Sequence, residues 1–316
     1  MTQSAMTSPT ASPRGGRPVG VRDSRGYRTF TWVNGTLLLV VCAVMLYPFV
    51  TVVAQSFSGA GAIKAGMVNV WPVDFNVDTY KAVAQNDVFW RNYRNTVQYT
   101  VVGTAIAMAL TTVFAFVLSK KHLRGRTFLI WVAVFTMFFN GGLIPNYVLI
   151  TSLGMKNTMW ALVLPGAISV FNLLVMKSFF ENLPRELEEA AQIDGLGWFG
   201  IFGRIVLPLS KAVLATMVLF YSVAIWNDWF AAFLYLDDQD LFPVTLFLRN
   251  LVAGASTSAS EGAALAGTTT AAISANIQAV TMILTIIPIL CIYPFVQRYF
   301  VSGVMLPVDG GMLRTL

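Results

Sequence analysis

Apolar positions in this chain fall into six long runs, at about 32–57, 95–119, 128–150, 160–180, 205–236 and 277–301. Each reaches the roughly 20 residues that a helix rising about 1.5 Å per residue needs to cross a bilayer. The runs are apolar on all faces, so they predict buried or lipid-embedded helices and an all-α integral membrane protein with six transmembrane helices. The fifth run exceeds one crossing and is expected to tilt or to extend beyond the lipid. Residues 1–30 are rich in Ser, Thr, Pro, Gly and Arg without an aliphatic run, which predicts a disordered basic tail and not a cleavable signal peptide. The chain therefore divides into a tail at 1–30, a six-span domain at 31–304 and a C-terminal tail at 305–316.

Composition agrees with the pattern. Hydrophobic residues make up 56% and charged residues 11% of the 316 positions, against roughly 45–50% and 25% in a soluble domain. Positive residues near span ends stay in the cytoplasm, and they collect at Arg14, Arg17, Arg22, Arg25 and Arg28 and again at Lys120, Lys121, Arg124 and Arg126. With six spans, both termini and the connection between spans four and five are then cytoplasmic. The first external segment carries Lys64, Lys81, Arg91 and Arg94, but at lower density and beside Asp74, Asp78 and Asp87. The second, 237–276, ends in small and polar residues that suit either a flexible loop or a helix. Cys42 and Cys291 lie in apolar runs, and His122, the single histidine, lies in a basic cluster. Neither position suggests a disulfide, a metal site or histidine catalysis.

One stretch between runs four and five breaks the apolar pattern: "EEAAQIDGLGWFGIFGRIVLPLS", Glu188 to Ser210. It contains a literal G-x-G-x-x-G at Gly195, Gly197 and Gly200, but a dinucleotide site needs a strand before it and an acidic residue about 20 positions later. Here the preceding segment is helix-like, and position 215 lies inside an apolar run. Glu186 and Glu189 share a helix face, yet no nucleophile, metal ligand or second acidic cluster accompanies them, so solvated charges are the better account. Local physics predicts a short helix, a turn and a second short helix. Pro184 suits a first helical position, the acids complement the helix start, and Gly195 can take the left-handed conformation that ends it. Trp198, Phe199, Ile201 and Phe202 then form an apolar patch that must pack partly on the spans and can otherwise fit a partner's groove.

"EAAQIDG", nine residues and then "IVLP", Glu189 to Pro208, resembles the EAA loop of binding-protein-dependent ABC importer permeases. From about 36 to 304 the chain resembles the sugar permeases related to the smaller maltose permease, in the branch associated with complex oligosaccharides or polysaccharide fragments. The residues that carry this are "NGGLIPNYVLITSLGMKNT" (140–158), "FNLLVMKSFFENLPRELEEAAQIDG" (171–195), "WNDWFAAFLYL" (226–236) and "QRYFVSGVM" (297–305). Ala212 stands where relatives commonly have proline, which bears on the kink opening span five, and the C-terminus lacks the usual ending. The resemblance implies a permease of the bacterial plasma membrane, with the loop at 184–208 forming a coupling helix that docks on a cytoplasmic ATPase. Glu189, Ala190, Ala191, Asp194, Gly195, Trp198, Phe199 and Phe202 would serve that coupling. It implies a second permease subunit in a heterodimer, two ATPase subunits that hold the ATP and Mg²⁺, an extracellular solute-binding protein and an oligosaccharide cargo. No cofactor of its own, no nucleic acid partner and no enzymatic chemistry are expected.

Polar groups at membrane depth are costly unless they face protein or water. Asn140, Gly141, Gly142, Pro145 and Asn146 interrupt the third span, either as a packing kink or as part of a pathway, and both can hold. Asn172 in span four is isolated, which favours an interhelical hydrogen bond. Trp226, Asn227 and Asp228 in span five offer a flat face and polar groups for a sugar, though Trp is also common at membrane interfaces. A secondary transporter would couple through intramembrane carboxylates and often shows repeats; Asp228 is the one acid in the runs and no repeat is evident. A membrane enzyme lacks its constellation. A permease for another solute class, such as polyamines, is the nearest rival, because the EAA loop does not encode the cargo.

Overall fold

The computed structural model describes residues 25–256 and 275–304. The expectations for the tail at 1–24, the external stretch at 257–274 and the C-terminal tail at 305–316 lie outside the described residues. All described secondary structure is helical apart from one isolated antiparallel bridge, Ser58 to Phe75.

The N-terminal unit ends at Val50 and consists, among the described residues, of most of helix α1, Arg25–Ser56. Its described residues 25–30 fall within the expected tail. Its residues 26–50 are all exposed, although the mean hydropathy reaches 2.6. Such a surface is stable only in lipid or against a partner.

The second unit is built around α4, Asp87–Ser119. Asn86 caps it by accepting from the Phe89 amide at 3.1 Å. Before it stand two short helices, α2 (Ala60–Lys64) and α3 (Asp78–Ala84). After it come α5 (Arg126–Phe138) and α6 (Leu143–Ser152), which meet at 112°. The expected third span is thus a bent pair. Asn140 Oδ1 holds the bend, accepting from the Gly142 amide at 3.0 Å and from Asn146 Nδ2 at 3.1 Å, and Gly142 supplies a φ of 89° that favours glycine.

The fourth and fifth runs are also broken, where continuous helices were expected. α7 (Trp160–Val163) and α8 (Val170–Glu181) are separated around Pro165 and Gly166, because proline has no N–H to donate and disfavours helix in the residue before it. The fifth run and the residues just ahead of it divide into α10 (Trp198–Ile201), a π-helical turn at Phe202–Val206, α11 (Leu207–Leu209), α12 (Lys211–Asn227) and α13 (Phe230–Tyr235). Ahead of α10, after α8, stands α9 (Arg185–Ile193). The bend at Ser210 is 82°, so it forms with alanine at 212. Segment 237–276 contains α14 (Val244–Ser256), and α15 (Ala275–Val304) closes the chain.

Among the described residues, two helices qualify as crossings by length and composition, 26–56 and 87–119, and each of two bent pairs adds one if counted as a span. α4 packs along α12 and α8, and α15 along α12 and α14. Because lipid is as apolar as leucine, such contacts depend on close approach. Gly103 provides it: a Cβ there would sit 2.8 Å from Ile225 Cδ1 and 3.5 Å from Val163 Cγ2. At one end of α4 a core forms from Phe116, Leu118, Leu173, Met176, Ile201 and Met217. Near the other end, Asn95 Nδ2 donates to the Asp240 carbonyl at 2.7 Å, Tyr99 Oη to that of Leu241 at 2.8 Å, and the Val244 amide to Thr96 Oγ1 at 2.7 Å.

Candidate functional site

The stretch that interrupted the apolar pattern folds into a helical elbow. α9 opens with Glu186 and Glu188 in its first turn, where negative charge offsets the helix dipole. Pro184 lies one residue ahead of the expected first helical position, at the N-cap. The helix ends as a Schellman turn: Gly195 at φ 81° donates to the Gln192 carbonyl at 3.0 Å, and Leu196 to that of Ala191 at 2.9 Å. The second limb, α10 to α11, runs back into the core.

Two adjacent glutamates take opposite roles. Glu188 turns inward and receives Lys120 Nζ on both carboxylate oxygens at 2.6 Å; the side chains are 13% and 16% exposed. The same ammonium sits 4.3 Å from the Phe116 ring centre and 5.8 Å from that of Trp198, whose face also meets His122 at 5.3 Å. Glu189 is exposed and forms no ion pair among the described residues. Nearby, Glu181 receives Arg126 and, at 2.9 Å, Lys177. Burial pushes the Glu181 carboxyl up, but Lys177 and Arg126 outweigh it and hold the group below the usual carboxylate range. A pocket of about 380 Å³ opens between these elements, lined by Lys121, His122, Arg185, Glu189, Gln192 and Trp198.

The elbow's apolar residues also split. Phe199 is 92% and Ile193 87% exposed. Ala190, Asp194 and Gly195 are exposed beside them, and Trp198 is partly covered. Ala191 is buried, and Phe202 packs 4.9 Å from Phe116. Of the residues named for coupling, these two face the elbow's interior and not its exposed side.

The second candidate is a cavity of about 700 Å³ whose lining includes Gly103, Ser169, Asn172, Tyr221, Ala224 and Asp228. Tyr221 organises one wall: its hydroxyl is 2.6 Å from Thr111 Oγ1 and accepts from the Ser169 amide at 3.0 Å. The interhelical bond expected of Asn172 does not form among the described residues. Its backbone amide donates to Ser169 Oγ at 3.4 Å, and its side chain lines the cavity. Asp228 Oδ1 accepts from the Ala231 amide at 3.0 Å and so starts α13. Asn227 turns back on its own helix, donating to the Val223 carbonyl at 2.9 Å. Trp226 is buried with Tyr93 edge-on at 5.8 Å, and its indole N–H has no partner among the described residues. Asn140, Gly141 and Asn146 belong to the α5–α6 bend and do not line this cavity. Of the expected pathway residues, then, Asn172 and Asp228 share it. Tyr221 and Thr111 were missed, although Thr104, Thr111 and Thr112 recur along α4 at helical spacing and are buried.

No protein-family model matches the chain. Protein LplC of Bacillus subtilis strain 168 is 38% identical over 286 residues, covering 90% of this chain and 96% of LplC. The polygalacturonan/rhamnogalacturonan transport system permease protein YtcP of the same strain is 37% identical over 279 residues, 88% of this chain and 97% of YtcP. A crystal structure of a bacterial ABC transporter involved in the import of the acidic polysaccharide alginate superposes with a TM-score of 0.80 at 31% identity, over 88% of this chain and 98% of that one. The chain belongs to the sugar ABC transporter permeases. A second solved chain, of an alginate ABC transporter in complex with a pentasaccharide-bound periplasmic protein, is 12% identical with a TM-score of 0.55 and shares the fold.

In this permease the stretch 140–158 that carries part of the family resemblance is locked to the segment after α13. Asn157 adopts φ 59°, and its Oδ1 accepts from the amides of Asp237 and Asp238 at 3.1 and 2.9 Å. Lys156 pairs with Asp237 at 2.9 Å. Hydrogen bonds to Asp237 and Tyr147 hold its ammonium above the usual lysine range. Arg249 lies over Trp229 and Phe233, 5.3 and 4.6 Å from the ring centres.

Proposed function

We propose that this permease is one of two different permease subunits of an ATP-driven importer that takes an oligosaccharide from an extracellular binding protein. Six crossings are proposed: α1, α4, α5 with α6, α7 with α8, α12 with α13, and α15. Both termini and the elbow then face the cytoplasm of a bacterium. Two ATPase subunits bind ATP and Mg²⁺, and their closure moves the elbow and rocks the spans between outward- and inward-open states. The names of the relatives support a complex, acidic saccharide as cargo.

The observation that carries this reading is the elbow, a short helical hairpin anchored by the partly buried Lys120–Glu188 pair that presents Phe199 and Ile193 almost wholly uncovered. Large apolar residues left exposed beside a glutamate with no ion pair among the described residues suit the anchor of a protein interface. The test is a purified complex with its binding protein in proteoliposomes. Gly195→Pro removes the amide bonded to Gln192 and forbids the positive φ, which reorients the elbow. Sugar-stimulated ATP hydrolysis and uptake are expected to fall more than about tenfold, the range of a lost interface anchor. Normal stimulation in that variant contradicts the reading.

A further inference from the structure

We propose that the Lys120–Glu188 pair makes α4, and not α12, the lever that carries motion of the elbow to the cavity. The proposal rests on the importer reading. The elbow enters the helix bundle by two routes. The covalent one passes through the π-helical turn at 202–206, then Pro208, then the 82° break at Ser210 before α12 begins. Pro208 donates no backbone bond, the Ser210 hydroxyl is buried without a partner among the described residues, and π turns are frequent sites of bending. A push applied at α9 is absorbed there.

The other route is not covalent. Lys120 stands at the C-cap of α4, grips both oxygens of Glu188 and is walled by Phe116 and Trp198. Separating so shielded a pair leaves two uncompensated charges, so the elbow and the end of α4 move together. From there α4 runs 33 residues without proline, about 50 Å at 1.5 Å per residue. It lines the cavity at Gly103, bonds Tyr221 through Thr111 and clasps the 240–244 segment through Asn95, Thr96 and Tyr99. One stiff element thus touches the elbow, the cavity and the far loop. Lys120 is a positioning residue for transport.

The experiment measures sugar moved per ATP hydrolysed by the complete complex with its binding protein in proteoliposomes. Lys120→Met and Glu188→Gln should each lower that ratio about tenfold, within the usual range of coupling between two sites. Lys120→Arg should keep it, and the reversed pair Lys120→Glu with Glu188→Lys should recover at least about half. A purely structural role would reduce the yield of complex and leave the ratio alone. Single variants with the wild-type ratio, or a reversed pair no better than its parents, overturn the proposal. A wild-type complex that hydrolyses ATP but moves no sugar overturns the importer reading and this proposal with it.

Discussion

The elbow end of α4 and its middle are held by different chemistry. At the elbow end, Lys120, Arg126 and Lys177 pair with Glu188 and Glu181. Along the cavity the contacts are neutral, Thr111 with Tyr221 and Gly103 against Ile225, whereas toward the far loop Thr96, Asn95 and Tyr99 bond backbone groups beside a more exposed ion pair, Arg91 with Asp240 at 2.9 Å. A charge at membrane depth is costly without a partner or water, so the middle of the helix is held by hydroxyls, amides and close approach. On the proposed topology the elbow end lies outside the lipid, where ion pairs are tolerated and give the stronger, directional grip. The contrast matches a division of labour in which one end receives force and the middle accommodates a neutral wall.

The largest effect expected in the neutral middle comes from Gly103→Leu, which drives a side chain into Ile225 and Val163 and fills part of the cavity. Overpacking of this kind costs about 1–3 kcal/mol. A melting temperature several degrees lower in detergent, together with lost uptake, checks it, while Gly103→Ala should be mild because the nearest atom is a side-chain tip. Next comes the pair Asn172→Leu and Asn227→Ala. Asn172 opens on the cavity and Asn227 is tied to its own helix, so uptake should fall about tenfold for the first, one hydrogen bond's worth of about 1.4 kcal/mol, and less than about twofold for the second. Equal losses would erase the distinction drawn between them.

The smallest effect belongs to the charged end. The folded Glu181 carboxyl lies below its unfolded value of about 4.3. Its contribution is therefore present above that value and lost as pH falls through the folded one. Glu181→Gln should narrow the gap in melting temperature between pH 7 and pH 4 by a small amount, and an unchanged gap would remove this pair from the grip.

Much of this was legible in the sequence because the signals are local. The apolar runs mark where helices lie, Asn140 to Gly142 mark the bend, and Gly195 sits where a helix end needs a positive φ. Pro165 and Gly166 gave an equally local signal that an uninterrupted run concealed. What was not legible depends on partners far along the chain. Nothing in "EEAA" says that Glu188 turns inward and Glu189 outward, since the choice is made by Lys120, 68 residues earlier. The Thr111–Tyr221 bond spans 110 residues in the same way. Phe202 read as a docking residue because its apolar neighbours Trp198 and Phe199 share the short second limb, yet the π-helical turn rotates it onto Phe116.

The most direct test of the central claim is a cross-link from position 199. In a complex with Cys42 and Cys291 replaced, Phe199→Cys should join to a single engineered cysteine in the ATPase surface cleft through a short bifunctional maleimide, with a yield that changes when ATP is added. The account predicts that product. A cysteine at 199 that reacts freely with a monofunctional maleimide in the assembled complex, and never joins the ATPase, would contradict it.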